Sequence, residues 1–468
     1  MKYINEEKIN NLLVDAAKFD RRKLDLILSK AKLLKRLSLE ESAALLLVDH
    51  PEYIQKIFDA ASFVKDAIYG RRVVLFAPLY ISNLCANNCL YCAFQSDNYA
   101  VKRKALTIPE ISAQTEWLLK RGHKRILMVC GEEIRNGRSN VDYYVQAVKA
   151  IYAAEVGKHK IKRVNVNCAP LSIADFKKLK LSGIGTYQIF QETYHQATYL
   201  RMHPQGPKSD PDNRIDAVDR AFKAGIDDIG IGVLYGLYDY RFETLGLLSH
   251  ILHMEANNVG PHTISVPRIE PAVGAELSFN PPYKISDEEF KKVVAVLRLS
   301  VPYTGIIMST RENARMRDNL LSLGVSQMSA ESNTSPGGYT ETSKDKTVQP
   351  DRQAGSQFSL SDQRSLDEVI CSLIEHDYIP SFCAACYRME RTGEAFMQLA
   401  KPGTIKGKCS MNALITLKEY LDDFASAKVK KSGNTMIRRY FSRLDKVDQK
   451  TLELFFSHVD SGIRDEYV

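Results

Sequence analysis

Between residues 72 and 332 the chain alternates short apolar runs with amphipathic segments, and no other feature limits its fold so sharply. Eight runs read as strands: VVLFAPLYIS, RILMVCGE, RVNVNCAP, TYQIFQETY, DIGIGVLYG, HTISVPRIEPA, GIIMSTRE and VSQMSAES. Helical segments lie between them, and two of these open with capping boxes, Thr107–Glu110 (with Pro109 inside) and Ser286–Glu289. Apolar strands alternating with amphipathic helices imply a parallel sheet covered by helices. Eight such units predict a TIM-type (β/α)8 barrel, with a doubly wound open sheet as the competing arrangement.

The flanks have a different texture. Residues 1–70 carry apolar positions at three- and four-residue spacing and read as an N-terminal helical extension. After residue 335 a polar stretch rich in Gly and Ser has no hydrophobic period and reads as a long connection. Ser365 and Glu368 then open another helix, and helices follow to Val468. The expected organisation is a helical extension over 1–70, a barrel over 71–344 and a small helical C-terminal domain over 345–468.

Bulk properties narrow the function. The net charge of +8 is spread over 468 residues, and the tightest basic runs, VKRKAL and AKVKKSG, are short. A solvated surface accounts for them better than nucleic-acid binding does. The N-terminus is polar, without the apolar core of a signal peptide, and no apolar run approaches the roughly 18–20 residues that cross a membrane. A cytoplasmic location is expected. In a reducing compartment, clustered cysteines point to metal or redox chemistry rather than disulfides.

Six of the nine cysteines fall into two groups. CANNCLYC places Cys85, Cys89 and Cys92 at C-x3-C-x2-C, directly after the first strand and so on the face where barrel enzymes keep their active sites. Three thiolates on one loop can hold three irons of a 4Fe–4S cube and leave the fourth open. A zinc site would ordinarily supply a fourth Cys or His nearby, and none is present.

This motif resembles the signature of the radical SAM enzymes, with Tyr91 as the aromatic residue before the last cysteine. The resemblance implies that the open iron chelates S-adenosylmethionine, whose reductive cleavage gives a 5′-deoxyadenosyl radical. CGEE resembles the family's Gly-Gly-Glu motif, with Cys130 replacing the first Gly, so Gly131 and Glu132 would contact the methionine amino group. Glu192 stands where relatives contact the ribose, and Arg214 is placed to pair with the methionine carboxylate. Surface ion pairing is the alternative for both.

Cys383, Cys386 and Cys409 form the second group, C-x2-C-x22-C. They can hold another cube with one open iron; zinc competes more strongly here because C-x2-C is common in zinc sites. The nearest histidine, His376, reads as a helix-surface residue. YQIFQETYH, GIDDIGIGVLYGLYD and GVSQMSAESNTSPGGY resemble the radical SAM enzymes that cleave the Cα–Cβ bond of tyrosine. Within that group the C-terminal triad resembles the FeFe-hydrogenase maturase branch, not the thiamine branch that stops at dehydroglycine. The resemblance implies that L-tyrosine yields p-cresol and dehydroglycine, and that dehydroglycine yields carbon monoxide and cyanide at the auxiliary cluster. It also implies an extra "dangler" iron held by His262, an electron donor such as ferredoxin or flavodoxin, and other hydrogenase maturation proteins as partners. A non-catalytic iron–sulfur scaffold is the rival from another class. It has no need of Glu132 or Glu192.

Arg311 ends the seventh strand, so it faces the active end and suits the tyrosine carboxylate; a salt bridge with Glu312 or a nearby loop is the alternative. Cys130, Cys168 and Cys371 have no metal-ligand spacing and read as small buried apolar residues.

Overall fold

The computed structural model describes residues 1–135, 137–257, 260–341 and 355–468. Its centre is a closed barrel of eight parallel strands: β1 Arg72–Ser82, β2 Arg125–Cys130, β3 Arg163–Asn167, β4 Tyr187–Glu192, β5 Ile229–Val233, β6 Thr263–Ser265, β7 Gly305–Met308 and β8 Val325–Ser329. Each pairs with the next in sequence, and β8 closes on β1 through Val74↔Gln327 to Phe76↔Ser329. All eight expected strands form, and closure removes the open-sheet alternative. Both lumen-facing and helix-facing positions of these strands are buried, which is why they read as continuous apolar runs.

Four helices precede the barrel: α1 Glu6–Ala16, α2 Arg21–Lys32, α3 Leu39–Leu47 and α4 Pro51–Tyr69. Between the strands, α5 Ile108–Leu119 and α6 Asp287–Ser300 both open with the expected reciprocal capping boxes. Such a box satisfies two otherwise orphaned N-terminal amides. α4 packs along α6, and Ser42 of α3 meets Ser300 at the end of α6 with 2.7 Å between hydroxyls.

After the barrel come α7 Leu366–Glu375, with its Ser365–Glu368 box, then α8 Ile405–Asp423, α9 Ala427–Phe441 and α10 Lys446–Asp460. One element is not evident from the sequence. Ile379–Ser381, β9, joins the sheet parallel to β1. β1 is eleven residues long and pairs with β2 only from Ala77 onward, which leaves an edge at Arg72–Val74 that β9 occupies. The C-terminal segment is therefore not wholly helical, and it is stitched to the N-terminal end of the barrel. The expected boundary at 344/345 lies outside the described residues.

Among the described residues no helix is long and apolar enough to cross a membrane. Of the two basic runs, Lys428, Lys430 and Lys431 lie in solvent on α9 as expected. Arg103 does not. Its guanidinium donates to the carbonyls of Asn83 and Phe94, both at 2.9 Å, and to those of Gln95 and Asn98, so it clamps the cysteine loop from inside.

Candidate active site and metal centres

Two cavities occupy opposite ends of the barrel. The upper one, about 1410 Å³ including its mouth, lies over the C-terminal strand ends. Its lining includes Cys85, Cys89, Cys92, Glu132, Glu192 and Arg311, together with Tyr91, Gly131 and Arg214. The lower one, about 510 Å³, lies at the N-terminal strand ends and is lined by Cys383, Cys386, Cys409 and His262, among others. Every residue singled out for chemistry in the sequence thus faces one of two chambers.

In the upper cavity the cysteine loop is held rigidly. Asn87 donates to the Glu132 carboxylate at 2.7 Å, and the Ala86 amide donates to the Glu132 carbonyl at 2.8 Å. Gly131 is needed because a Cβ there would collide with the Leu84 carbonyl. N–H groups point at the sulfurs: Asn87 to Cys85 at 3.7 Å, the Phe94 amide to Cys92 at 3.4 Å, and Gln357 to Cys92 at 3.6 Å. Such donors stabilise ligated thiolates. Burial pushes the Cys89 and Cys92 thiols up, so both carry protons until a metal displaces them. Tyr91 is pinned by His203, 2.8 Å from its hydroxyl.

Glu192 is the one strained residue of the site. Its φ of +72° is rare without glycine, and the β4–β5 register slips beside it. The distortion turns its carboxylate towards Lys208 at 2.6 Å and Arg214 at 3.7 Å. Arg214 is fixed by its Nε bond to the Phe190 carbonyl at 2.6 Å. Glu192 and Arg214 are both buried, so neither is a surface ion-pair residue.

The alternative reading of Arg311 also fails. Glu312 is gripped by Arg268, Nε to Oε1 at 2.8 Å. Arg311 makes no ion pair among the described residues, and its guanidinium stacks 3.4 Å over the Phe358 ring. An unpaired cation facing a cavity suits a carboxylate.

Cys130 and Cys168 are not simply core residues, since both line the upper cavity; Cys371 is buried on α7 as expected. His376 is exposed, with Nδ1 against the Ser372 carbonyl.

In the lower cavity the three thiols lie among Arg72, Arg125 and Arg163. Arg125 donates to the Cys383 carbonyl, and Arg163 stacks 3.1 Å over the Tyr387 ring. Burial raises the Cys383 thiol and pushes that of Cys386 up to about 12. Burial, then Arg163, Arg125 and Arg72, holds His262 well below the usual imidazole range, so it is neutral and free to ligate. Its Nδ1 is buried against Asp228, which leaves Nε2 for the cavity. In neither chamber do three donors converge closely enough for a single ion among the described residues. Three clustered thiols lining each void fit a 4Fe–4S cube with one open iron.

Fold and site together define a radical SAM enzyme. Residues 79–248 match the Radical SAM superfamily, and residues 265–379 match the Biotin and Thiamin Synthesis associated domain. The chain resembles the crystal structure of HydG, a maturase of the FeFe-hydrogenase, with a TM-score of 0.95 and 44% identity over all of both chains. HydG from Carboxydothermus hydrogenoformans gives a TM-score of 0.82 and 39% identity, over 96% of this chain and 98% of that one. The 2-iminoacetate synthase of Salmonella typhimurium is 31% identical over 339 residues, 72% of this chain and 84% of that protein. The chain belongs to the HydG family of radical SAM maturases. Membership of the superfamily implies a 4Fe–4S cluster and S-adenosylmethionine, and the donors of the upper cavity fit both.

Sequence reasoning missed Lys208, Asn87, His203, Gln357 and the arginine trio. Asn87 is a variable position inside CANNCLYC itself, while the others belong to no spacing motif and reach their sites only through the fold.

Proposed function

We propose that the chain splits the Cα–Cβ bond of L-tyrosine in the upper cavity, giving p-cresol and dehydroglycine. Dehydroglycine is converted to carbon monoxide and cyanide in the lower cavity, as an iron-bound unit for FeFe-hydrogenase maturation. The observation that carries this reading is the lower cavity itself: three thiols and a neutral histidine gathered at the far end of the barrel from the CANNCLYC loop. A lyase that stopped at dehydroglycine would have no use for it.

Cys85, Cys89 and Cys92 would hold the first cluster, with Glu132, Glu192 and Arg214 holding S-adenosylmethionine. That pair supplies the radical chemistry when bound. Arg311 anchors the tyrosine carboxylate, Phe358 flattens the guanidinium against the cavity wall, and the closed barrel keeps water from the reacting atoms. Cys383, Cys386 and Cys409 would hold the auxiliary cluster, and His262 a further iron that leaves as cargo. Two chambers in one enclosed barrel keep both toxic products from solvent. The reductant is a ferredoxin- or flavodoxin-type donor, and other maturation proteins receive the product. The protein works in the cytoplasm.

The similarity to 2-iminoacetate synthase favours one second reading, a lyase that releases dehydroglycine. Anaerobic turnover with tyrosine, S-adenosylmethionine and a reductant separates the two. p-Cresol, carbon monoxide and cyanide together are expected; p-cresol alone, with no carbon monoxide, establishes the second reading instead.

A further inference from the structure

Two consecutive side chains of the strap over residues 355–362 line the upper cavity and touch two different sites. Gln357 reaches the cysteine loop, and Phe358 lies under the Arg311 guanidinium. Backbone bonds fix the strap on both sides. The Gln357 amide donates to the Thr334 carbonyl at 3.2 Å, and the Gln357 carbonyl accepts from the Ala93 amide at 3.3 Å. Further on, the Ser359 amide donates to the Pro271 carbonyl at 2.8 Å, and the Ser361 amide to the Thr310 carbonyl at 3.0 Å. Ala93 follows Cys92 and Thr310 precedes Arg311, so the strap is held in register with both.

The Gln357 side chain joins these sites as a relay. Its Nε2 donates to Cys92 Sγ at 3.6 Å, and its Oε1 accepts from the Tyr80 hydroxyl at 2.8 Å. Tyr80 is buried, stands edge-on to Phe94 and lines the same cavity as Arg311, the cation that acts on its hydroxyl. A phenol has one proton to give. Given to Gln357, it polarises the amide and strengthens the N–H that faces the sulfur. A carboxylate held by Arg311 is a stronger acceptor and competes for the same proton. Gln357 then loses its partner, and its N–H···S bond weakens. The carboxylate also offsets the Arg311 charge, which acts on Cys92. Both changes have one sign, since each makes added negative charge at the Cys92 sulfur less favourable.

We propose that Gln357 is a positioning residue that couples substrate occupancy at Arg311 to the reduction potential of the cluster held by Cys85, Cys89 and Cys92. This deepens the lyase reading above and rests on it. Hydrogen bonds to ligating sulfurs help to set a cluster's potential, and they raise it by stabilising the reduced form. A substrate carboxylate on Arg311 withdraws that help through Tyr80 and Gln357. The reduced site thereby becomes a stronger electron donor when a hydrogen is in place to be abstracted. No covalent bond changes in this coupling, and the electron comes from the reductant already named. A chain without the relay cleaves S-adenosylmethionine with less regard to whether tyrosine is bound.

The test is potentiometric EPR of the anaerobically reconstituted full chain, with and without L-tyrosine, read on the signal of the cysteine loop and compared at equal iron content. Loss of one such hydrogen bond changes the reduction equilibrium about tenfold, or about 59 mV for one electron. Tyrosine should lower the wild-type potential by about that amount. In Gln357→Leu the potential should already be low without tyrosine, and the tyrosine-dependent shift should shrink to less than half, the part that the Arg311 charge supplies. Gln357→Glu keeps the shape and the bond from Tyr80 but has no N–H for the sulfur, so it should behave alike and serves where the leucine variant does not take up iron. In turnover assays, 5′-deoxyadenosine formed per p-cresol should rise about twofold to tenfold in both variants. A tyrosine shift of wild-type size in the Gln357 variants overturns this inference alone, and so does a wild type that makes p-cresol but shows no shift. A wild type that makes no p-cresol overturns the lyase reading and this inference with it.

Discussion

The Nδ1 of His262 stands 3.6 Å from Oδ1 of Asp228, and both side chains are buried. A ligating histidine usually gives its other nitrogen to such a carboxylate, which fixes tautomer and ring orientation. His262→Ala should therefore leave p-cresol formation intact and lower carbon monoxide output. Asp228→Asn should weaken iron retention in the lower cavity by about tenfold. Iron analysis with product assays checks both. Equal loss of p-cresol and carbon monoxide in His262→Ala would place His262 in the fold or the tyrosine site instead.

Replacing Cys85, Cys89 and Cys92 together should abolish 5′-deoxyadenosine formation. EPR of the reduced wild type should show two cluster signals, of which only the one from this loop shifts when S-adenosylmethionine is added. A triple variant that still cleaved S-adenosylmethionine would contradict the assignment.

Arg311→Lys should act mainly on tyrosine binding. A lysine cannot reproduce the planar fork or the stack on Phe358. Losing one hydrogen bond of the fork while the charge is kept costs about 0.5–1.5 kcal/mol, roughly twofold to tenfold in KM. Steady-state p-cresol formation measures it, and an unchanged KM would remove Arg311 from the substrate site.

Glu243 makes stability depend on pH. Burial pushes its carboxyl up to about 8, although the Thr193 hydroxyl and the Tyr194 amide (2.7 Å) both donate to it. The folded carboxyl keeps its proton to higher pH than the unfolded one. Its contribution is complete below about pH 4.3, the unfolded value, and is lost as pH rises towards 8. The slope in that window is roughly 1.4 kcal/mol per pH unit. Urea midpoints should fall between pH 5 and pH 8 in the wild type and stay flatter in Glu243→Gln. Parallel profiles would show that Glu243 does not titrate there.

Much of this was legible in the chain because its signals are local. Strand–helix alternation gave all eight barrel strands, and two compact cysteine spacings gave two sets of thiols. β9 was hidden because Ile379–Ser381 is only three residues and pairs with an edge exposed by the length of β1. Arg103 looked like part of a solvated run because nothing in VKRKAL shows that one guanidinium turns inward to four carbonyls. Lys208 follows Glu192 by 16 residues, on a short turn over Pro207–Ser209, and no spacing pattern links the two. Arg72, Arg125 and Arg163 each begin a strand, and barrel closure alone reveals that those three starts share one chamber.

The central claim is that the two chambers divide the reaction, and the Cys383→Ser/Cys386→Ser variant tests it most directly. Both sulfurs face only the lower cavity, while the upper cavity keeps its own thiols, its cofactor contacts and Arg311. Anaerobic turnover of this variant with tyrosine, S-adenosylmethionine and reductant should release p-cresol near the wild-type rate. Glyoxylate should accumulate and no iron–carbonyl band should appear in the infrared. Carbon monoxide at the wild-type rate would contradict the account, since the lower cavity would then not be where the fragment is converted.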